Sequence, residues 1–226
     1  MSKFIRRDVL LNESQIEKIE NAKIALFGLG GVGGYTLEAL VRMGIKNLFL
    51  CDGDKFDESN LNRQILSLES NIGKDKVLVA KERALSINKD IKIDTYNEFI
   101  NSSNINNINF DFDYIIDAID DTNAKVLLIK KAKELNIPII SMMGAGNRLN
   151  ATFKVSDINK TKEDPLSKKM RYLLKNEGIN HVKVVYTEDK PTKPNKDGVI
   201  GSVSYIVGMA GLVVANEVIN DLIKGE

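Results

Sequence analysis

The stretch Phe27–Gly34 reads FGLGGVGG. Gly28, Gly30 and Gly33 fit G-x-G-x-x-G, the spacing at which a strand hands over to a helix whose free N–H groups face a diphosphate. Apolar KIALF (Lys23–Phe27) runs into the turn from one side and a helical pattern leaves it on the other. The next apolar run, NLFLCD (Asn47–Asp52), ends on Asp52, a residue placed to accept hydrogen bonds from ribose hydroxyls. A nucleotide site at the end of a parallel strand pair follows. The turn alone leaves its ligand open between a nicotinamide cofactor and ATP.

Working outward, further runs of strand length follow at Ile91–Tyr96, Tyr114–Asp120 and Ile137–Met142. Between the runs lie YTLEALVRMG, KDKVLVAKERALSI and NAKVLLIKKAKELN, with apolar residues three and four apart. Such alternation predicts an α/β fold, a Rossmann-like, mostly parallel sheet with helices on both faces. After Gly144 the rhythm changes. A strand at Ala151–Val155, a charged helix opened by Asp164 and Pro165, and a strand at Val182–Val185 predict an extension of the sheet with a lid. The apolar tract Val199–Ile219 is interrupted early by glycine and serine and later by Asn216 and Glu217, which predicts a buried helix rather than a stable membrane insertion. The organisation expected is one domain over 1–226, with a nucleotide-binding core at 1–143 and a substrate-side extension at 144–226.

Of 226 residues 43% are hydrophobic, enough for one substantial core. Net charge is +1, so no global field draws the molecule to nucleic acid or to membrane, and any such attraction has to be local. The N-terminal MSKFIRRDVLLNES has no apolar stretch of signal-peptide length. A single cysteine excludes an internal disulfide and a four-cysteine zinc site, and a reducing cytoplasm fits. Cys51 lies within an apolar strand and reads as a small buried hydrophobe rather than a nucleophile, and His181, before another, reads as structural or exposed rather than catalytic.

The residues after Asp52 separate the two nucleotide readings. CDGDKFDESNLNRQ sets Asn60 and Arg63 just beyond the strand, and Lys76 opens a helix thirteen residues later. Hydride transfer has no use for so much positive charge beside its phosphates. Displacement of pyrophosphate does, because negative charge builds on the leaving oxygens.

The set GLGGVG, DGD-x5-SNLNRQ, GKDK and DAIDD resembles the ATP-binding core of the ubiquitin-activating family, including its ThiF and MoeB branch, over almost the whole chain. The resemblance implies that Gly28, Gly30, Gly31 and Gly33 cradle ATP, with Asp52 on the ribose and Asp54 beside it. It implies that Asn60, Arg63 and Lys76 contact phosphates and that Asp120 binds Mg²⁺. It further implies a homodimer in which an N-terminal arginine reaches the neighbouring subunit's ATP; Arg6 is the best match, with Arg7 the alternative. Asp117 and Asp121, flanking Asp120, read as helpers or as turn and helix-cap residues.

Members that charge ubiquitin-like proteins pass the adenylate to a cysteine, and many sulfur-carrier activators hold zinc with paired C-x-x-C motifs. Neither feature is present here. One branch needs no relay, the dehydratases of threonylcarbamoyladenosine in tRNA, in which the adenylated carboxyl group is attacked from within the same nucleoside. MMGAGNRLNATFKVSDINKTKEDPLSKKMRYLLK is similar to the GAG turn, D-x-x-K-T segment and D-P-L-x-x-K-x-R helix of that branch, and GSVSYIVGMAGLVVANEVI to its C-terminal helix. The substrate this implies is tRNA. Between Ile158 and Asp197 ten Lys or Arg face six acids, and Lys168, Lys169, Arg171 and Lys175 form a candidate basic stripe for RNA phosphates. Two rivals stand beside this reading: an activator of a small sulfur-carrier protein, with a sulfur-relay partner, and a nucleotide-sensing scaffold without turnover.

Overall fold

The computed structural model describes residues 2–196 and 198–224. Among the described residues seven strands form one sheet: β1 (Lys23–Phe27), β2 (Asn47–Cys51), β3 (Lys92–Tyr96), β4 (Tyr114–Asp117), β5 (Ile139–Met142), β6 (Phe153–Asp157) and β7 (Lys183–Thr187). Their spatial order is β3-β2-β1-β4-β5-β7-β6, all parallel except β6, which runs antiparallel to β7. The sheet continues without a break past residue 143, so the C-terminal strands extend it.

KIALF shows why the strands read as continuous apolar runs. Ile24 and Leu26 face a core layer with Leu37, Leu40, Val77, Ala80 and Val214, while Ala25 and Phe27 face a second layer with Leu128, Ile129, Met170 and Leu174. Both faces of β1 are buried, as parallel strands require when helices cover both sides. The first layer is supplied by α3 (Gly31–Arg42), α4 (Lys76–Ile87) and α7 (Ser204–Lys224), the second by α5 (Thr122–Glu134) and α6 (Pro165–Asn176). Two N-terminal helices, α1 (Ile5–Asp8) and α2 (Glu13–Asn21), precede β1. α7 is long and apolar enough to cross a bilayer, yet Val207, Gly211, Val214 and Val218 are buried and it packs along α3. That fits a core helix, as the interrupted apolar tract predicts.

Several expected boundaries shift. β4 ends at Asp117, so Asp120 lies in the connection to α5 and not on the strand. α3 begins at Gly31, inside the glycine turn, four residues before the helical pattern becomes visible, because its first turn is nearly all glycine. β6 and β7 lie two residues later at their ends than the apolar runs indicate, and α7 starts at Ser204, leaving Val199 and Ile200 exposed. Asp197, one of the six acids in the charge count, lies outside the described residues, as do Met1, Gly225 and Glu226.

The strand order reverses between β1 and β4. Connections from these two strands leave in opposite directions and open a crevice at their C-terminal ends, where ligands bind in open α/β sheets. The glycine turn follows β1 and Asp120 follows β4.

Candidate nucleotide and acyl site

Gly28 has φ +90°, and a Cβ there would lie 2.5 Å from the Ala118 carbonyl oxygen, so only glycine lets β1 turn under the end of β4. A Cβ on Gly33 would overlap the Gly28 carbonyl, which fixes how closely α3 approaches the strand. Gly30 is the N-cap of α3 and brings no side chain to its free N–H groups. Gly28, Gly30 and Gly31 line a cavity of about 930 Å³, while Gly33 supports it from behind.

Asp52 anchors the floor. Its Oδ2 accepts from Leu29 N at 2.7 Å and Oδ1 from Asp54 N at 2.9 Å. Burial raises its pKa above the ordinary carboxylate value, although these amides and the Lys76 charge act the other way. Each oxygen keeps a second lone pair for a hydroxyl. Lys76, at the first position of α4, is buried along its stem, and Nζ lies 2.6 Å from Asp54 Oδ2. Asp54 is half exposed, so this pair opens to the cavity. Asn60 is buried in a reciprocal cap with Asp57. Arg63 Nη1 donates to Ser59 O at 2.6 Å and to Asn62 Oδ1 at 3.1 Å; among the described residues no carboxylate lies within ion-pair distance of it. Asp120 is exposed, lines the same cavity and has no intramolecular hydrogen bond or ion pair among the described residues.

The structure therefore brings Gly28, Gly30, Gly31, Asp52, Asp54, Asn60, Arg63, Lys76 and Asp120 to one cavity. Asp121 also lines the cavity, whereas Asp117 lies beneath it. Asp121 caps α5 through Ala124 N at 2.8 Å. Asp117 is fully buried, paired with Lys125 Nζ at 3.0 Å and accepting from Ser141 Oγ at 2.5 Å. Lys125 Nζ also donates to Ile119 O at 2.9 Å, so this buried network holds the connection that carries Asp120.

Burial and partners place the remaining candidates. Arg7 is buried, donating to Met43 O at 2.8 Å and pairing with Glu20 at 2.9 Å, which removes it as the cross-subunit arginine; Arg6 is exposed. On α6, Lys168, Lys169 and Lys175 are exposed, but Arg171 is half-buried and donates to Thr161 O at 2.9 Å and to the Thr161 hydroxyl. Arg171 thus braces the turn before α6 and leaves the basic stripe. Cys51 is buried, its thiol donates to Glu98 O at 3.5 Å, and burial pushes its pKa up strongly. His181 is exposed beside Asp157 at 3.1 Å.

Sequence reasoning missed Gln64, Phe99, Arg148 and Asp164, all of which line the cavity. Gln64 adjoins Arg63 in the quoted NRQ segment, and Asp164 carries a helix-cap signal that hides its place in the cavity wall. Arg148 had no signal beyond its place after the GAG turn.

The ThiF family model matches residues 5–225. A tRNA threonylcarbamoyladenosine dehydratase from Bacillus subtilis is 32% identical over 99% of this chain and 96% of its own length. The crystal structure of the Escherichia coli tRNA N6-threonylcarbamoyladenosine dehydratase, TcdA, in complex with AMP superposes with a TM-score of 0.92 at 30% identity, over 98% of this chain and 94% of that one. The ATP complex of the same enzyme gives a TM-score of 0.91 at 29% identity. With a family match that spans nearly all of its length and relatives that align end to end, this chain belongs to the ThiF family, on the branch shared with the tRNA threonylcarbamoyladenosine dehydratases.

Proposed function

We propose that this chain binds ATP with Mg²⁺ and dehydrates threonylcarbamoyladenosine in the tRNA anticodon loop to its cyclic form. The carrying observation is that the glycine turn, Arg63, Lys76 and Asp120 share one cavity with the segments after Gly144 that mark this branch. The substrate carboxylate attacks the α-phosphorus, and the bond to pyrophosphate breaks. Arg63 and Lys76 meet the charge that builds on the leaving oxygens, a fixed-cation role worth several kcal/mol in a dry site. A group of the same nucleoside then attacks the activated carbonyl, AMP leaves, and the ring closes. Lys76 reaches the phosphates by exchanging Asp54 for the stronger negative charge of the nucleotide.

One exposed carboxylate fits Mg²⁺, which commonly takes one or two protein carboxylates and completes its shell with phosphate oxygens and water. Asp120 would hold it, and no cluster of three or more His, Cys, Asp or Glu suited to a metal occurs among the described residues. The ion would supply charge neutralisation at the phosphates.

Assembly as a homodimer is supported by a row of exposed apolar side chains on α7, Tyr205, Met209 and Leu212, at helical spacing. Near it, Asn62 Nδ2 donates to Ser202 O at 2.8 Å and ties the segment that carries exposed Leu61 and Ile65 to the residues just ahead of this helix. Arg6, beside exposed Val9 and Leu10, is the residue offered to the partner's nucleotide. Lys168, Lys169 and Lys175 are offered to RNA phosphates. A sulfur-relay partner would have to work without Cys51, whose thiol is buried. A cytoplasmic location suits a free thiol and a tRNA substrate.

Mass spectrometry of nucleosides from tRNA incubated with the protein and ATP tests the reading. The expected result is loss of one water from threonylcarbamoyladenosine with release of AMP and pyrophosphate. Pyrophosphate release that depends on a carrier protein with a Gly-Gly terminus, and not on RNA, would replace it with the sulfur-carrier reading. Nucleotide binding without any pyrophosphate release would leave a scaffold.

A further inference from the structure

The wall of the cavity beyond the glycine turn carries two charged side chains that the phosphate chemistry does not use. Arg148 and Asp164 line the cavity, yet their side chains are only 2% and 1% exposed. Arg148 Nε donates to Asp189 O at 3.2 Å and Nη1 to Gly146 O at 3.0 Å. Asp164 Oδ2 accepts from Ser167 N at 3.0 Å, Ser167 Oγ at 2.5 Å and Gly144 N at 3.3 Å. Arg148 Nη2 and Asp164 Oδ1 have no hydrogen-bond partner among the described residues. They are 3.7 Å apart, close enough to pair as ions but outside hydrogen-bond range.

The placement is held on both sides. The turn at Asn147 is tied to the segment ahead of α7: Asn147 N donates to Gly201 O at 2.7 Å, Gly201 N to Asn147 Oδ1 at 2.6 Å, and Thr192 N to Asn147 O at 2.6 Å. Asp164 is fixed as the N-cap of α6. Neither side chain is free to swing out to water. One charged donor and one carboxylate acceptor therefore stand side by side at the cavity wall, each with a bond unmade. A ligand unit that presents an acceptor oxygen and, a few atoms away, a hydroxyl hydrogen answers both.

We infer that Arg148 and Asp164 form an acyl subsite that selects a β-hydroxy acid: Arg148 donates to a carboxyl oxygen of the amino-acid unit of the substrate, and Asp164 Oδ1 accepts from that unit's hydroxyl. This rests on the threonylcarbamoyl reading above and adds the residues that recognise its amino-acid part. Arg148 also places the carboxylate in line with the α-phosphorus, and Asp164 distinguishes threonine from glycine in the same linkage.

The test is steady-state kinetics of Arg148→Gln, Arg148→Lys and Asp164→Asn on tRNA bearing threonylcarbamoyl or glycylcarbamoyl adenosine, with ATP affinity measured separately by calorimetry. Arg148→Gln is expected to raise KM for the modified tRNA roughly ten- to a hundredfold with ATP affinity unchanged, and Arg148→Lys to recover part of it. Asp164→Asn keeps an effective helix cap and is expected to erase the preference for threonine over glycine. Wild-type KM in Arg148→Gln, or unchanged selectivity in Asp164→Asn, overturns the subsite. Titration with the free nucleoside threonylcarbamoyladenosine separates the two readings. Binding that depends on Arg148 without turnover of tRNA would keep the subsite and remove the dehydratase reading; binding indifferent to Arg148, or none by the wild type, overturns the subsite whatever the reaction.

Discussion

Replacing Lys76 separates its electrostatic role from its packing. Its stem is buried beside the Phe56 ring, with Nζ 5.9 Å from the ring centroid, while Nζ pairs with an Asp54 carboxylate that is 52% exposed. Lys76→Met keeps most of the stem and removes the charge. The pair it breaks faces solvent on one side, so its loss costs about 1 kcal/mol of stability or less, and Asp54 simply rehydrates. For a chain of this length that lowers Tm by roughly 2–4 °C. Lys76→Ala also removes about three buried methylenes at ~0.8 kcal/mol each and is expected to lower Tm about twice as far or more. The chemistry responds on another scale. A unit charge about 4 Å from a developing charge, at an effective dielectric constant near 20, is worth ~4 kcal/mol, and mutational losses of such contacts run at about 10²–10³ in turnover. ATP–pyrophosphate exchange is therefore expected to fall by roughly 10²–10³ in both variants alike, despite their different stabilities. Exchange assayed at saturating ATP, with thermal unfolding on the same samples, measures both. Lys76→Met exchanging within about fivefold of wild type would refute the role of the ammonium group, since a hundredfold loss is the low end of the range for such a contact.

Asp120→Asn is expected to reduce exchange by roughly a hundredfold with Tm unchanged, because the carboxylate is exposed and bonds nothing within the chain among the described residues; a Mg²⁺ titration at fixed ATP should show half-saturation shifted to higher Mg²⁺ concentration. Cys51→Ala is expected to retain cyclisation and to cost about 1 kcal/mol of stability, and the folded wild type should resist iodoacetamide at pH 8, because burial holds the thiol protonated. For Asp52 the folded pKa is raised, so its contribution to stability is fully present below the ordinary carboxylate value and is lost as pH rises through the folded one. Urea unfolding of wild type and Asp52→Asn at pH 3.5 and pH 7 should show the wild type losing stability relative to the variant between them, and a constant difference would remove the buried-carboxylate reading.

The features legible in the sequence are those decided within one turn or one period of the chain. The G-x-G-x-x-G spacing marks Gly28 and Gly33, whose missing side chains are demanded by backbone contacts a few residues away or at the adjoining strand. Continuous apolar runs identify strands buried on both faces, and Asp164 with Pro165 marks the start of α6. Arginine and lysine roles were less legible, because a long cationic side chain finds its partner through space. Arg7 is drawn to Glu20 and the Met43 carbonyl, Arg171 to the Thr161 turn, and Lys125 to Asp117. Arg148 and Asp164, sixteen positions apart, meet only because β5 delivers the Gly144 turn against the N-terminus of α6. Local periodicity and steric rules determined which segments become strands, helices and the phosphate turn. Which charges stay free to act was decided by tertiary packing, since the cost of burying a charge depends on what the rest of the fold places beside it.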